Sequence, residues 1–263
     1  MSRIEATFAR LRGEKRGGLI TYATAGDPDA ETSAAILIAL AQAGADLIEV
    51  GVPFSDPLAD GPVIQRASER ALAAGMTLRG TLEIVRKVRE SIDTPIVLFT
   101  YANPVVQMDP AVFARTAKAA GVDGVLMLDY PVEEAGPLRG TMIEAGLDPI
   151  FLISPTTSDE RIRKSGEMGR GFLYVISRLG VTGARQEFAA DTAALIARVR
   201  AQSGLPVAIG FGISSPEQVA LACASADAAV VGSALVSVIA EHGQSGDVAR
   251  QAGDYVRWLK SAV

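Results

Sequence analysis

Short apolar runs rich in β-branched residues recur along the chain. Longer stretches separate them, with apolar residues returning every three or four positions. The runs are LITYATA (19–25), DLIEVGV (46–52), PIVLFTY (95–101), GVLMLD (124–129), DPIFLIS (148–154), GFLYVIS (171–177), PVAIGFG (206–212) and AAVVGS (228–233). Their length and near-continuous apolarity are those of strands buried on both faces of a parallel sheet. The segments between them, such as ETSAAILIALAQAG and DTAALIARVRAQSG, have helical spacing, and Gly44, Gly121, Gly146 and Gly204 stand where helix C-termini are expected. Eight β–α units in 263 residues predict an α/β fold, a closed (β/α)8 barrel forming a single domain over residues 1–263. An open doubly wound sheet is the competing fold, but no strand–Gly-x-Gly-x-x-Gly–helix fingerprint opens the chain. Ahead of the first strand, Ile4, Phe8 and Leu11 share one helical face, which predicts an extra N-terminal helix.

One run breaks the apolar pattern. In DLIEVGV the strand period places Leu47, Glu49 and Gly51 on one face and Ile48, Val50 and Val52 on the other. If the second set packs against helices, Glu49 points into the mouth of the barrel. An ionised carboxylate there is costly unless paired or functional, and desolvation raises its pKa. That suits a general acid/base near neutral pH; an ion pair with a barrel arginine is the structural alternative. A loop stiffened by Pro53, Pro57 and Pro62 follows, carrying Asp56 and Asp60. Alone, Asp60 reads as a solvated loop acid; its interest comes from Glu49 nearby.

Chemistry in such barrels collects at the C-terminal ends of the strands. There the fourth run ends in Asp129, the sixth carries Tyr174, and Gly180 and Gly183 follow it. Gly212, Ile213 and Ser214 follow the seventh run, and Gly232 and Ser233 end the eighth and open a helix at Ala234. Glycine lets backbone N–H groups approach an anion, and a helix start adds positive potential. The three ends together point to a phosphate site, the alternative being glycines that only make tight turns.

Composition narrows the chemistry. The net charge is −5 with no block of like charges, so nucleic acid is not an expected partner. No apolar run is long enough for a membrane span, and the N-terminus lacks the apolar region of a secretory signal. A lone cysteine, Cys223, leaves no internal disulfide, and a cytoplasmic protein is expected. Lys15, Lys87, Lys118, Lys164 and Lys260 all fall in helical stretches or before the first strand, so Schiff-base chemistry has no nucleophile at a strand end. His242, the only histidine, reads as a surface residue, and one histidine cannot build a His-rich metal site or serve as an electrophile from the C-terminal tail. No metal is expected. What remains is a phosphate-anchored substrate handled by carboxylates, able to lose a carbon–carbon bond only if it supplies its own electron sink. A different phosphate-binding barrel (a sugar-phosphate isomerase or a flavin-phosphate enzyme) and a non-catalytic barrel that activates a partner are the competing readings.

The stretch EVGVPFSDPLADGPVIQ (49–65) resembles the signature of the tryptophan synthase α subunit family. So do TYATAGDP (21–28), YANP (101–104), SRLGVTGAR (177–185), GFGISSPEQV (210–219) and VVGSALV (230–236), and the similarity covers essentially the whole chain. The resemblance implies a carbon–carbon lyase of tryptophan biosynthesis that splits indole-3-glycerol phosphate into indole and glyceraldehyde 3-phosphate. It implies that Glu49 protonates the indole carbon bearing the glycerol chain and takes up the side-chain hydroxyl proton. Asp60 would accept from the indole N–H, and the protonated indole, an iminium, would be the electron sink. Phosphate contacts would come from Gly183, Gly212, Ile213, Gly232 and Ser233. The indole pocket would hold Tyr22, Phe99, Leu126, Leu152 and Phe211, with Tyr174 near the glycerol. Thr182 would meet Asp60 when the strand-six loop closes. The family commonly has phenylalanine where this chain has Tyr22, which implies a more polar pocket. The resemblance also implies an allosteric α2β2 heterotetramer in which indole passes through a tunnel to a β subunit. That partner holds pyridoxal phosphate, and this chain holds no cofactor. Pro53, Asp56, Pro57, Asn103 and Pro104 would lie at the subunit contact.

Overall fold

In the computed structural model, residues 1–176, 185–210, 212–243 and 245–263 are described, 185–190 by their backbone alone. Eight parallel strands close into a barrel in sequence order: β1 (Gly18–Thr24), β2 (Leu47–Gly51), β3 (Ile96–Thr100), β4 (Gly124–Met127), β5 (Asp148–Ile153), β6 (Leu173–Ile176), β7 (Val207–Gly210) and β8 (Ala228–Val231). β1 pairs with β2, placing Tyr22 beside Glu49, and with β8, placing Ile20 beside Val230, which completes the ring.

The helices are α1 (Arg3–Glu14), α2 (Ala30–Gln42), α3 (Pro62–Ala73), α4 (Leu78–Arg89), α5 (Ala102–Met108), α6 (Pro110–Ala120), α7 (Gly136–Glu144), α8 (Asp159–Met168), α9 (Arg185–Ser203), α10 (Pro216–Cys223), α11 (Ser233–His242) and α12 (Val248–Lys260). β2, β3 and β8 are each followed by two helices rather than one. The extra segments after β2 and β3 place short connections at the barrel mouth, where loop chemistry is carried. His242, expected on the surface, is half-buried at the end of α11.

The strand period sorts the side chains into two layers. Ile48, Val50 and Val52 pack outward with the helices, whereas Ile20, Leu47, Val97, Leu126, Ile150, Phe172 and Ala208 fill the barrel. Ile4, Phe8 and Leu11 of α1 plug its N-terminal end, with the Phe8 and Phe172 ring centroids 5.5 Å apart. The plug is a helix because Ser2 caps it: its hydroxyl accepts from the Glu5 N–H while the Glu5 carboxylate accepts from the Ser2 N–H.

At the same N-terminal end, aspartates just ahead of β2, β4 and β8 tie each strand to the preceding one. Asp46 accepts from the Leu19 N–H (3.0 Å), Asp123 from Ile96 (3.0 Å) and Asp227 from Val207 (2.8 Å). Burial would raise the Asp46 pKa, but Arg16 and Lys260 hold the carboxyl far below the usual range. These acids are structural, and they leave the opposite end free for chemistry. Gly44, Gly121, Gly146 and Gly204 all have positive φ at the ends of helical segments, as their positions predict. Among the described residues no helix is long and apolar enough to cross a membrane.

Candidate active site

A cavity of about 320 Å³ opens at the C-terminal end of the barrel. Its walls are largely apolar (Ile64, Phe99, Leu128, Leu152, Ile176, Val230), and its polar groups come from Glu49, Asp60, Tyr22, Tyr174 and the turns at 212–214 and 232–234. This is the usual make-up of a small-molecule site: an apolar wall with a few converging polar groups.

Glu49 stands on β2, whose neighbours β1 and β3 hold it in register. It is 1% exposed, and its Oε1 has no hydrogen-bond partner among the described residues. The alternative reading, an ion pair with a barrel arginine, finds no arginine partner for Glu49 among the described residues. Burial pushes the Glu49 carboxyl up to about 8. A buried polar atom left unpaired in this way calls for an explanation, and a reacting group is one.

Asp60 arrives from the loop after β2 and is fixed from three sides. Tyr101, at the end of β3, donates its hydroxyl to Asp60 Oδ2 (3.0 Å) and accepts from the Ala59 N–H (3.1 Å). Gln65 Nε2 donates to the Asp60 carbonyl (2.8 Å). The Phe54 ring stacks on Tyr101 at 5.0 Å, and Arg70 forks onto Asp27 (2.8 and 2.7 Å), locking α3 against the loop after β1. Burial raises the Asp60 pKa to about 6, with the Tyr101 hydroxyl pulling the other way. At neutral pH one acid is thus mostly protonated and the other mostly ionised, a separation that assigns them different chemical roles.

Two tyrosines lie across strand ends in the same cavity. A Cβ on Gly51 would stand 2.1 Å from the Tyr22 hydroxyl, and one on Gly210 would stand 2.2 Å from that of Tyr174, so both positions require glycine. The Tyr22 hydroxyl lies 3.3 Å from Thr24 Oγ1, and its ring meets Phe99 edge-on at 5.2 Å. Burial and the nearby acids hold both phenols protonated: Asp60 and Glu49 act on Tyr22, and Glu49 acts on Tyr174.

Opposite the acids, Gly212 has φ +74° and begins the turn after β7, and Gly232 opens α11. The helix starts at Ser233, one residue earlier than expected, with its first N–H groups at the cavity wall. Backbone donors at a helix start beside a glycine turn are suited to an anion.

Of the residues singled out in the sequence, Glu49, Asp60, Tyr22, Phe99, Leu152, Tyr174, Gly212, Ile213, Gly232 and Ser233 line this one cavity. Leu126 does not: it is fully buried in the layer beneath, and Leu128, the next inward position, takes its place. Thr182, Gly183, Gly180 and Phe211 lie outside the described residues. Asp129 is structural, accepting from the Ala102 N–H (2.7 Å) at the start of α5. Sequence reasoning missed Ile64, Leu128, Ile176, Tyr101 and Gln65. Strand alternation from Leu126 and Tyr174 points to Leu128 and Ile176, and Tyr101 and Gln65 belong to the quoted motifs, but nothing in spacing alone links them to Asp60.

Comparison with known proteins bears on what this cavity does. The family model for the tryptophan synthase alpha chain matches residues 8–262. The chain belongs to the tryptophan synthase alpha chain family. It is 48% identical over 263 residues to the tryptophan synthase alpha chain of Geobacter sulfurreducens, covering 100% of this chain and 99% of that one. With the alpha chain of Caulobacter sp. (strain K31) it shares 52% identity over 238 residues, 90% of this chain and 86% of the relative. Its fold is similar to the crystal structure of the alpha subunit from Legionella pneumophila (TM-score 0.93, 38% identity, 100% and 98% coverage). It is also similar to a chain of Mycobacterium tuberculosis tryptophan synthase (TM-score 0.90, 38% identity, 100% and 98% coverage). Tryptophan synthase alpha chains are carbon–carbon lyases that cleave indole-3-glycerol phosphate, and that is the activity of this chain. Membership also implies a complex with a beta subunit. Among the described residues, no group of three or more His, Cys, Asp or Glu is placed to hold a metal ion.

Proposed function

We propose that Glu49 and Asp60 divide the proton chemistry of indole-3-glycerol phosphate cleavage between them. The observation that carries this reading is the placing of two acids in one cavity with different surroundings. Glu49 is fully buried with Oε1 unpaired among the described residues and Asp60 accepts from Tyr101, and burial raises the first to about 8 and the second to about 6. Protonated Glu49 gives its proton to the indole carbon that bears the glycerol chain. The ring nitrogen becomes positive, and ionised Asp60, accepting from its N–H, stabilises that charge. The carbon–carbon bond then breaks, its electron pair returning to the ring. The neighbouring hydroxyl gives its proton to the Glu49 carboxylate and becomes the aldehyde. Indole and glyceraldehyde 3-phosphate leave, and Glu49 is protonated again, so the cycle closes without an external base.

The wall of Tyr22, Phe99, Leu128, Leu152 and Ile176 takes the indole, with Tyr174 at the glycerol, all of them lining the same cavity. The turn at Gly212–Ile213 and the α11 start at Gly232–Ser233 take the phosphate. Thr182, Gly183 and Phe211, outside the described residues, are assigned to the same substrate in this reading.

The pH profile tests the division of roles. A Glu49 that must be protonated costs activity as pH rises through about 8, and an Asp60 that must be ionised costs activity as pH falls through about 6. The expected kcat/KM profile is a bell between these limits. Because a phosphate monoester also titrates near pH 6, the acid limb is assigned by its loss in Asp60→Asn. A rate that keeps rising above pH 9 in the wild type contradicts the role given to Glu49.

We further propose that the partner is a pyridoxal-phosphate beta subunit in an α2β2 assembly that receives the indole through a tunnel. In this reading the cofactor belongs to the partner. The lysines of this chain lie on helices or at the end of α1, where Lys118 bonds the Gly146 carbonyl and Lys260 pairs with Asp46. Supporting the contact, Leu58 (93% exposed) and Val106 (58% exposed) present apolar surface beside exposed Asp56 and Asn103 and half-buried Pro57 and Pro104 at the barrel mouth. Pro53 of the same loop is buried and acts as its anchor. Asp56→Ala is expected to raise the beta-subunit concentration needed for half-maximal activation by about tenfold. A titration curve matching the wild type contradicts the interface.

A further inference from the structure

The geometry points to Tyr255 as a positioning residue for the phosphate end of the substrate, acting from outside the cavity; the inference rests on the phosphate reading of the Gly212–Ile213 turn. Tyr255 belongs to α12, far from the acids in sequence and on the outer surface of the barrel. Its hydroxyl donates to the Ser214 carbonyl at 2.8 Å, across a sequence separation of 41 residues. Ser214 is held on its other side too: its N–H (2.7 Å) and hydroxyl (3.1 Å) both donate to Gln218 Oε1 on α10. All three polar groups of Ser214 are thereby committed to the protein. The Ile213 side chain is buried among the outer core residues. Gly212 and Ile213 line the cavity beside Ser214, and theirs are the N–H groups assigned to the phosphate. Gly212, at φ +74°, has a conformation that gives the turn no intrinsic preference for one placement. The clamp from Gln218 and Tyr255 supplies that placement.

Tyr255 also connects the turn to an optical reporter. The chain has one tryptophan, Trp258, which is half-exposed, and its ring lies 5.6 Å from that of Tyr255. Filling the anion site tightens the turn against its clamp and changes the surroundings of that pair.

The test is Tyr255→Phe, which removes one hydroxyl and keeps the ring. A neutral hydrogen bond that positions a loop is worth about 3- to 10-fold in affinity. The dissociation constants for inorganic phosphate and for glycerol 3-phosphate, measured by calorimetry, are expected to rise by that factor. KM for indole-3-glycerol phosphate rises with them, kcat changes less than twofold, and the dissociation constant for indole, which has no phosphate, stays the same. In the wild type, glycerol 3-phosphate shifts the Trp258 emission excited at 295 nm, and in Tyr255→Phe the shift needs correspondingly more ligand. Equal phosphate and glycerol 3-phosphate affinities in the two proteins overturn the role of Tyr255. Parallel losses of phosphate and indole binding also overturn it, because they indicate a general loosening of the fold. Absence of phosphate and glycerol 3-phosphate binding in the wild type overturns the phosphate reading itself, and this inference with it.

Discussion

Replacing Glu49 by glutamine is expected to lower kcat for indole release by about 10²- to 10⁴-fold, the usual worth of a positioned acid/base, while the affinity for a substrate analogue stays within about twofold. Glutamine fills the same space but cannot give a proton to the indole carbon or take one from the hydroxyl. Since Oε1 of Glu49 makes no hydrogen bond among the described residues, the substitution breaks no partner there. The same variant should be more heat-stable than the wild type at alkaline pH. Folding raises the Glu49 pKa from 4.5 to about 8, so its contribution to stability is complete below about pH 4.5 and is lost as pH rises through 8. Glutamine does not titrate. Its melting temperature should approach the wild type's near pH 4 and exceed it at pH 9, by about 2–4 °C for each kcal/mol relieved. Calorimetry across that range reads the difference, and a variant that melts below the wild type at pH 9 contradicts a buried, unpaired carboxyl.

Asp60→Asn is expected to lower kcat by about 10²- to 10³-fold with a smaller change in KM, because it removes charge stabilisation that matters most when the ring nitrogen turns positive. The amide oxygen can still accept from the Tyr101 hydroxyl, so the loop stays in place. Steady-state kinetics separate the alternatives. A large rise in KM at unchanged kcat contradicts this role, for it places Asp60 in ground-state binding.

How these residues come together was only partly legible along the chain. Glu49 stood out because a strand has period two, and a charged residue on the inward face of an apolar run has few bland explanations. The same periodicity identified the strands and the α1 face that plugs the barrel. It did not say where each ladder ends. The apolar runs reach to 101, 129 and 212, whereas β3, β4 and β7 end at Thr100, Met127 and Gly210, because the inward residues beyond each end serve the cavity rather than the sheet. For that reason Leu128, not Leu126, meets the substrate space.

The support of Asp60 was not legible at all. Tyr101 reaches it across 41 residues of chain, and Gln65 reaches its carbonyl from the first turn of α3. Such contacts depend on how two loops fold over one mouth, and local propensity carries no information about them. The clamp on Ser214 is of the same kind, joining α10, α12 and the turn after β7.

The most direct measurement of the central claim is the release of indole and glyceraldehyde 3-phosphate from indole-3-glycerol phosphate by the purified chain, with and without a beta subunit, for the wild type and Glu49→Gln side by side. The wild type is expected to give equal amounts of the two products and to release them faster with the beta subunit, and the variant almost none in either condition. Wild-type turnover by Glu49→Gln, or no cleavage by the wild type even with its partner, contradicts that claim.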